Sequence, residues 1–221
     1  IYARQGQTLS DWADELDAAL ALGTGHLSLY QLTIEPGTVF AARHARGQLR
    51  GLPDDEAAAA LFDLTQDRCA AAGRPGYEIS NHAAPGEACR HNLIYWTGGD
   101  WAAVGPGGHG RLTLDGTRIA TEARRAPLAW LESVERTGSG EGPRSIVPPE
   151  EAALETLLMG LRLSSGLSTE ALLPAYRPPP SAIAPLVADV SLEADDARIR
   201  NTAAGRLLTD RIVAALAAHL A

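Results

Sequence analysis

His26-Leu27-Ser28-Leu29-Tyr30-Gln31-Leu32-Thr33-Ile34 (HLSLYQLTI, 26–34) alternates in polarity and is rich in strand formers, and Glu35-Pro36-Gly37-Thr38 closes it as a turn. Upstream, Trp12, Leu16, Ala19 and Leu20 recur at helical spacing behind a candidate N-cap at Ser10, and the run stops at Gly23. Ile1-Tyr2 before it reads as the end of a strand. Downstream, residues 39–49 read as a helix-like or irregular stretch. Asp54-Asp55-Glu56 then opens a strong helix to about Ala72, acidic where the helix dipole favours negative charge. Gly76 to Ser80 is expected to be a second short strand. Strand–helix–strand–helix–strand with short turns is the grammar of parallel α/β units.

Beyond residue 111 the texture changes twice. RLTLDGTRIATEA (111–123) is expected to form a β-hairpin about Asp115-Gly116. Pro127 to Glu135 reads as a short helix carrying Trp130. GSGEGPRSIVPPE then marks the strongest boundary in the chain, giving a first domain at 1–137, a linker at 138–148 and a second domain at 149–221. In the second domain, residues 150–163 are expected to be helical, with Leu154, Leu157, Leu158 and Leu161 on one face. LSTEALLPAY (167–176) restarts a helix behind Ser168, and a third short helix runs from Ile183 to Asp189. Val190-Ser191-Leu192 and Arg198-Ile199-Arg200 pair as a small hairpin, and a last helix spans about Gly205 to Leu220. Helices with a small hairpin give a mostly helical, winged-helix-like module, a shape that does not by itself assign a function.

Composition narrows the function classes. The chain has 221 residues, 45% of them hydrophobic and 21% charged, which is enough apolar material for one large or two modest domains. The net charge of −8 argues against nucleic acid or an anionic membrane surface as partner, since both select basic faces. No apolar run reaches the roughly 20 residues of a membrane span. Two cysteines form no disulfide framework: Cys69 lies on a helical run as a small buried hydrophobe. Cys89, beside Arg90 and His91, is either an incidental small residue or a reactive thiol or ligand. Neither has metal-ligand spacing. The chain opens at Ile1 in what reads as a strand, and is read as a fragment of a longer protein.

Chemistry-bearing residues concentrate in YEISNHAAPGEACRHNLIYWTGGDWAAVGPGGHGR (77–111), which holds three of the six histidines (His82, His91, His109) and two of the four tryptophans. Pro85-Gly86 and Gly98-Gly99 punctuate it, and loops on a rigid scaffold are where binding residues gather. Gly105, Gly107 and Gly108 let backbone approach a ligand closely, because no Cβ intervenes. Glu78 is expected to be a buried or cleft carboxylate needing a partner, for which Arg90, Arg111 or a cofactor hydroxyl are candidates. RHNLIYW sets an imidazole, a carboxamide and two aromatics in one short loop. Imidazole is a standard axial ligand for haem iron, and flat aromatics suit a porphyrin face. The alternative is that His91 and Asn92 hold the loop while Tyr95 and Trp96 fill core. His82 is expected to be a solvated loop histidine.

Four motifs in order, SLYQLTIEPGT (28–38), YEISNHAAPG (77–86), RHNLIYW (90–96) and VGPGGHGR (104–111), resemble the HemW haem chaperones of the radical S-adenosylmethionine superfamily. The ending, with LLMGLRLSSGLS and IRNTAAGRLLTDRIV, is similar to the C-terminal domain that family shares with the oxygen-independent coproporphyrinogen III oxidases. The resemblance implies an α/β fold: the C-terminal half of a partial parallel barrel of the radical S-adenosylmethionine type, then the mostly helical module. It implies S-adenosylmethionine and a [4Fe–4S] cluster in the full-length protein, the CxxxCxxC cluster ligands lying outside this chain. Tyr30, Gln31, Gly105, Gly107 and His109 fall on the S-adenosylmethionine side, with Glu78 as a further cofactor-side position, although Tyr30 and His109 also read as packed structural residues. His91, Asn92, Tyr95 and Trp96 match the family's HNxxYW element on the haem side, with His91 as iron ligand.

The function implied is a cytoplasmic haem chaperone that delivers haem to respiratory haem proteins, with homodimerisation left open. The alternative is an oxygen-independent coproporphyrinogen III oxidase that decarboxylates porphyrinogen propionates.

Overall fold

The computed structural model describes residues 1–220, in two compact units divided between residues 89 and 90. In the first unit, α1 (Leu9–Ala21) is capped by Thr8, ahead of the expected Ser10, which lies inside the helix. Thr8 and Asp11 exchange side-chain-to-backbone hydrogen bonds as a capping box, which stops the helix fraying at its N-terminus. β1 (His26–Ser28) follows, then α2 (Val39–Ala45) capped by Thr38, and α3 (Asp55–Ala71) capped by Asp54. α1 and α3 enclose a core in which Tyr2 and Trp12 stack at 5.0 Å over Leu16, Leu61 and Cys69.

The expected strand at 76–80 is instead a turn, and the strand forms one step later as β2 (Asn81–Ala83). Glu78 causes the shift. Its Oε1 accepts the Ser80 N–H at 2.9 Å and Asn81 Nδ2 at 2.5 Å, a local side-chain-to-backbone closure that competes with a ladder. β2 pairs antiparallel with β1, His26 opposite Ala83, so the expected parallel pairing is not the one these strands make. Parallel pairing does occur where Tyr2 bridges Gln31. The class is α/β as expected, with no closed barrel among the described residues.

The second unit opens with α4 (Arg90–Trp96), so the RHNLIYW segment is a helix and not the loop expected for it. β3 (His109–Leu114) and β4 (Thr117–Glu122) form the expected hairpin, turning through Asp115 and Gly116 at φ +48° and +75°, the left-handed pair that a two-residue hairpin turn demands. α5 (Pro127–Thr137) ends on a left-handed Gly138. The segment 138–148 carries β5 (Ser145–Ile146), which adds a third strand alongside β4.

α6 (Pro149–Gly160) then begins the C-terminal core. β6 (Leu167–Ser168) and two single 3-10 turns, Thr169–Ala171 and Pro174–Tyr176, replace the helix expected over 167–176. Pro174 removes a helical donor, and Leu167 finds a strand partner in Ile199. α7 (Pro180–Ala188), the hairpin β7 (Leu192–Ala194) and β8 (Arg198–Asn201), α8 (Ala203–Arg206) and α9 (Thr209–Ala217) complete the unit. The single last helix expected is thus two, parted at Leu208. The expected hairpin is present as β7–β8, and β6 adds a third strand to it in the order β6-β8-β7. No helix among the described residues is long and apolar enough to cross a membrane.

Candidate functional site

The second unit assembles an aromatic ladder from α4 and the hairpin. On a helix, residues four apart share a face, so His91 and Tyr95 stand together while Asn92 and Trp96 share the neighbouring one. His91 and Tyr95 meet edge-to-face with centroids 4.8 Å apart, and Tyr95 Oη lies 3.3 Å from His91 Nε2. Tyr95 in turn packs on Trp101 at 4.7 Å. Trp101 donates its indole N–H to the His109 carbonyl at 3.0 Å and lies beneath two guanidiniums, Arg111 at 6.0 Å and Arg118 at 5.5 Å from the ring centre.

Each guanidinium is held by a carboxylate. Arg111 grips Glu155 on α6 through Nη2 at 2.6 Å and Nε at 3.1 Å, which raises the arginine's pKa above its ordinary value. Arg118 bonds Asp100 at 2.6 Å and the Gly99 carbonyl at 3.0 Å. Asp100 also accepts the Thr113 N–H and hydroxyl, and these bonds, the backbone one first, hold its carboxyl below the usual carboxylate range. Thr113 and Arg118 are cross-strand partners in the hairpin register, which brings both to Asp100. A cavity of about 170 Å³ opens between this ladder and α6, lined by Tyr95, Trp101, Arg118, Glu155 and Met159 among others.

Trp96 stands on the adjacent face, under the Arg162 guanidinium at 5.5 Å, and borders a second cavity of about 290 Å³ with Leu163, Leu167 and Arg198. The residues expected on the haem side are therefore not one cluster: Tyr95 joins His91 to Trp101, whereas Trp96 adjoins the C-terminal module. Asn92 is half-buried on α4.

The glycine loop divides too. At Gly108 a Cβ would come 2.9 Å from the Ala103 methyl, and at Gly110 it would come 2.4 Å from Thr121 Oγ1, so these two glycines serve the loop's own packing. Gly105 adopts φ +95° with open space where a Cβ would stand, the condition a ligand-approach surface needs. Gly107 also has positive φ, and its N–H bonds the Arg124 carbonyl. His109 is half-exposed at the start of β3, its Nε2 3.8 Å from Glu122, so it is not the buried structural histidine of the alternative reading.

In the first unit, Tyr30 is half-exposed and is not a core aromatic. The parallel bridge uses Tyr30 O and Leu32 N, which turns the Gln31 N–H and C=O away from Tyr2. Glu78 is 1% exposed and takes Ser80 and Asn81 as partners, while Arg111, one candidate for it, pairs with Glu155. His82, expected in solvent, is wholly buried on β2. Burial pushes the Cys69 thiol up to about 11, which makes it inert; Cys89 is half-buried. No group of three or more potential metal-ligating side chains occurs among the described residues.

Sequence reading assigned no role to Trp101, Asp100 or Arg118. The signal was present: a two-residue turn at 115–116 places residues 113 and 118 opposite one another, and alternation puts Arg111 and Thr113 on one face.

Comparison with known proteins agrees with the four motifs. Residues 147–208 match the HemN C-terminal domain. The chain is 35% identical over 216 residues to the heme chaperone HemW of Mycobacterium tuberculosis, covering 98% of this chain and 53% of that protein. It is 40% identical over 163 residues to the heme chaperone HemW of Synechocystis, covering 73% and 39%. Among solved structures, the coproporphyrinogen III oxidase HemN from Escherichia coli, a radical SAM enzyme, superposes with a TM-score of 0.73 at 18% identity, over 99% of this chain and 54% of that one. The chain thus spans about half the length of the M. tuberculosis relative. In sequence this chain is similar to heme chaperones named HemW and, over residues 147–208, to the HemN C-terminal domain, and its fold is similar to that of HemN.

Proposed function

We propose that this chain is part of a haem chaperone of the HemW type, carrying a haem-binding face on α4 and the β3–β4 hairpin. The observation that carries the reading is the 35% identity across 98% of the chain to a protein named a heme chaperone. The residues fit the group. An exposed imidazole and a phenol, set against a braced indole, supply an axial ligand and flat surface for a porphyrin. At about 170 Å³ the cavity beside them is smaller than the roughly 300–1,000 Å³ of sites that enclose a small molecule, so haem would lie on an open face. An open face suits a protein that must hand its cargo on.

In the full-length protein, S-adenosylmethionine and a [4Fe–4S] cluster would be held largely by residues outside this chain. The outward Gln31 peptide is the contribution proposed for the first unit. The match of 147–208 to the HemN C-terminal domain supports a second domain beginning near Pro149. Respiratory haem proteins are the proposed recipients and the cytoplasm the proposed compartment.

The test has two arms on the full-length protein. Titration with ferric haem should develop a shifted Soret band at one haem per chain. Anaerobic incubation with S-adenosylmethionine, reductant and coproporphyrinogen III should yield no protoporphyrinogen. Turnover without haem binding would overturn the chaperone reading in favour of the oxidase.

A further inference from the structure

We propose that the iron-binding atom of the haem face is the phenol oxygen of Tyr95, with His91 as its hydrogen-bond partner; this rests on the haem-binding reading above. A metal-bound histidine ordinarily gives its outer partner the nitrogen that does not bind metal. In this structure the nitrogen at the tip of the ring, Nε2, is the one engaged, 3.3 Å from Tyr95 Oη. The two residues also differ in how firmly they are held. His91 is exposed in the first turn of a seven-residue helix, and among the described residues Tyr95 is its one ring contact. Tyr95 rests on Trp101, which is fixed by its own N–H on the His109 carbonyl and by two guanidiniums, each clamped by a carboxylate. A ligand atom is positioned best where packing locks its side chain.

Tyrosine is an established type of axial haem ligand, and its anionic oxygen is a hard donor suited to ferric iron. With haem bound, the Tyr95 oxygen would hold the iron as a phenolate in place of a water on the iron, and His91 Nε2, 3.3 Å away, would be the acceptor for the phenol proton, with no change of oxidation state. Trp101 acts as a positioning residue for Tyr95.

The test uses ferric haem with full-length wild type, Tyr95→Phe, His91→Ala and His91→Gln, followed by visible absorption and electron paramagnetic resonance. Wild type and both His91 variants should show a phenolate-to-iron charge-transfer band and a high-spin signal. His91→Ala should bind about tenfold more weakly, as loss of an outer-shell partner does. His91→Gln should recover part of that loss. Tyr95→Phe should lose the band. It deletes one oxygen and keeps the ring on Trp101, and a wild-type circular dichroism spectrum would confirm folding. A wild-type haem spectrum in Tyr95→Phe, with its loss in His91→Ala, would make the imidazole the ligand and overturn the inference while leaving the haem reading intact. Unchanged spectra in all variants would overturn it too, moving the ligand off α4. No haem spectrum in wild type would sink the haem reading itself.

Discussion

The cores of the two units are built from different material. The C-terminal core gathers Leu157, Leu161, Leu192, Ile199, Ile212 and Leu216, all 0–1% exposed and none with a polar or ionisable group. The N-terminal core mixes Leu16 and Leu61 with Tyr2, Trp12 and Cys69, and admits a polar partner: Thr65 accepts the Trp12 indole N–H at 2.8 Å. An aliphatic core is stabilised by area and packing alone, with little response to pH. A core holding a phenol, a thiol and an indole depends also on protonation and on one buried hydrogen bond. The same sequence therefore folds two units that should fail under different conditions.

The largest expected effect is in the aliphatic core. Leu157→Ala should destabilise the C-terminal unit by about 2–5 kcal/mol, since it combines lost transfer energy with a cavity. Denaturant unfolding read by hydrogen exchange should show the loss in α6, β8 and α9. Equal loss of protection in α1 and α3 would break the distinction between the cores.

Alkaline pH should do the converse. Burial raises Cys69 from 9.0 to about 11 and Tyr2 from 10.0 to about 12, so the folded state holds these protons where the unfolded chain has released them. Their stabilisation is complete below pH 9 and falls as pH rises, from 9 to 11 for Cys69 and from 10 to 12 for Tyr2. Two pH units correspond to about 3 kcal/mol as an upper bound for Cys69. Circular dichroism against pH should show a transition that starts later in Cys69→Ala; an unmoved onset would remove the thiol from the cause.

Thr65→Val keeps the volume but strands the Trp12 N–H in the core, for an expected loss of about 1–3 kcal/mol by chemical denaturation. A neutral result would show that the indole finds another acceptor. The smallest effect concerns the hairpin. Asp100 has a depressed pKa, so its contribution is present above the ordinary carboxylate range and fades as pH falls below it. Because Asp100 is largely exposed, Asp100→Asn should change stability by only a few tenths of a kcal/mol. It should flatten the acid side of the pH profile; a loss above 1 kcal/mol would show that the clasp on Arg118 is structural.

How much of this was legible depended on how local the causes are. The acidic start of α3 and the Asp115-Gly116 hairpin follow from spacing and turn chemistry, and the structure has them, whereas of the leucine face expected on 150–163 only Leu157 and Leu161 are buried and Leu154 and Leu158 are exposed. The strand expected at 76–80 was displaced by a carboxylate folding back on its own backbone, and the helix expected at 167–176 by pairing with a strand thirty residues on. Neither competitor shows in a periodicity. At the site, the motif pointed to His91, Tyr95 and Trp96, but the helix divides them between two faces. Trp101, which lies outside the motif, completes the ladder, and only the hairpin register brings its arginines to it.

The central claim is tested most directly by equilibrium titration of the full-length protein with ferric haem, comparing wild type with the His91→Ala/Tyr95→Phe double variant. A saturable Soret shift at one haem per chain in wild type, abolished in the double variant, is the expected result. Equal binding by both, or none by wild type, would contradict it.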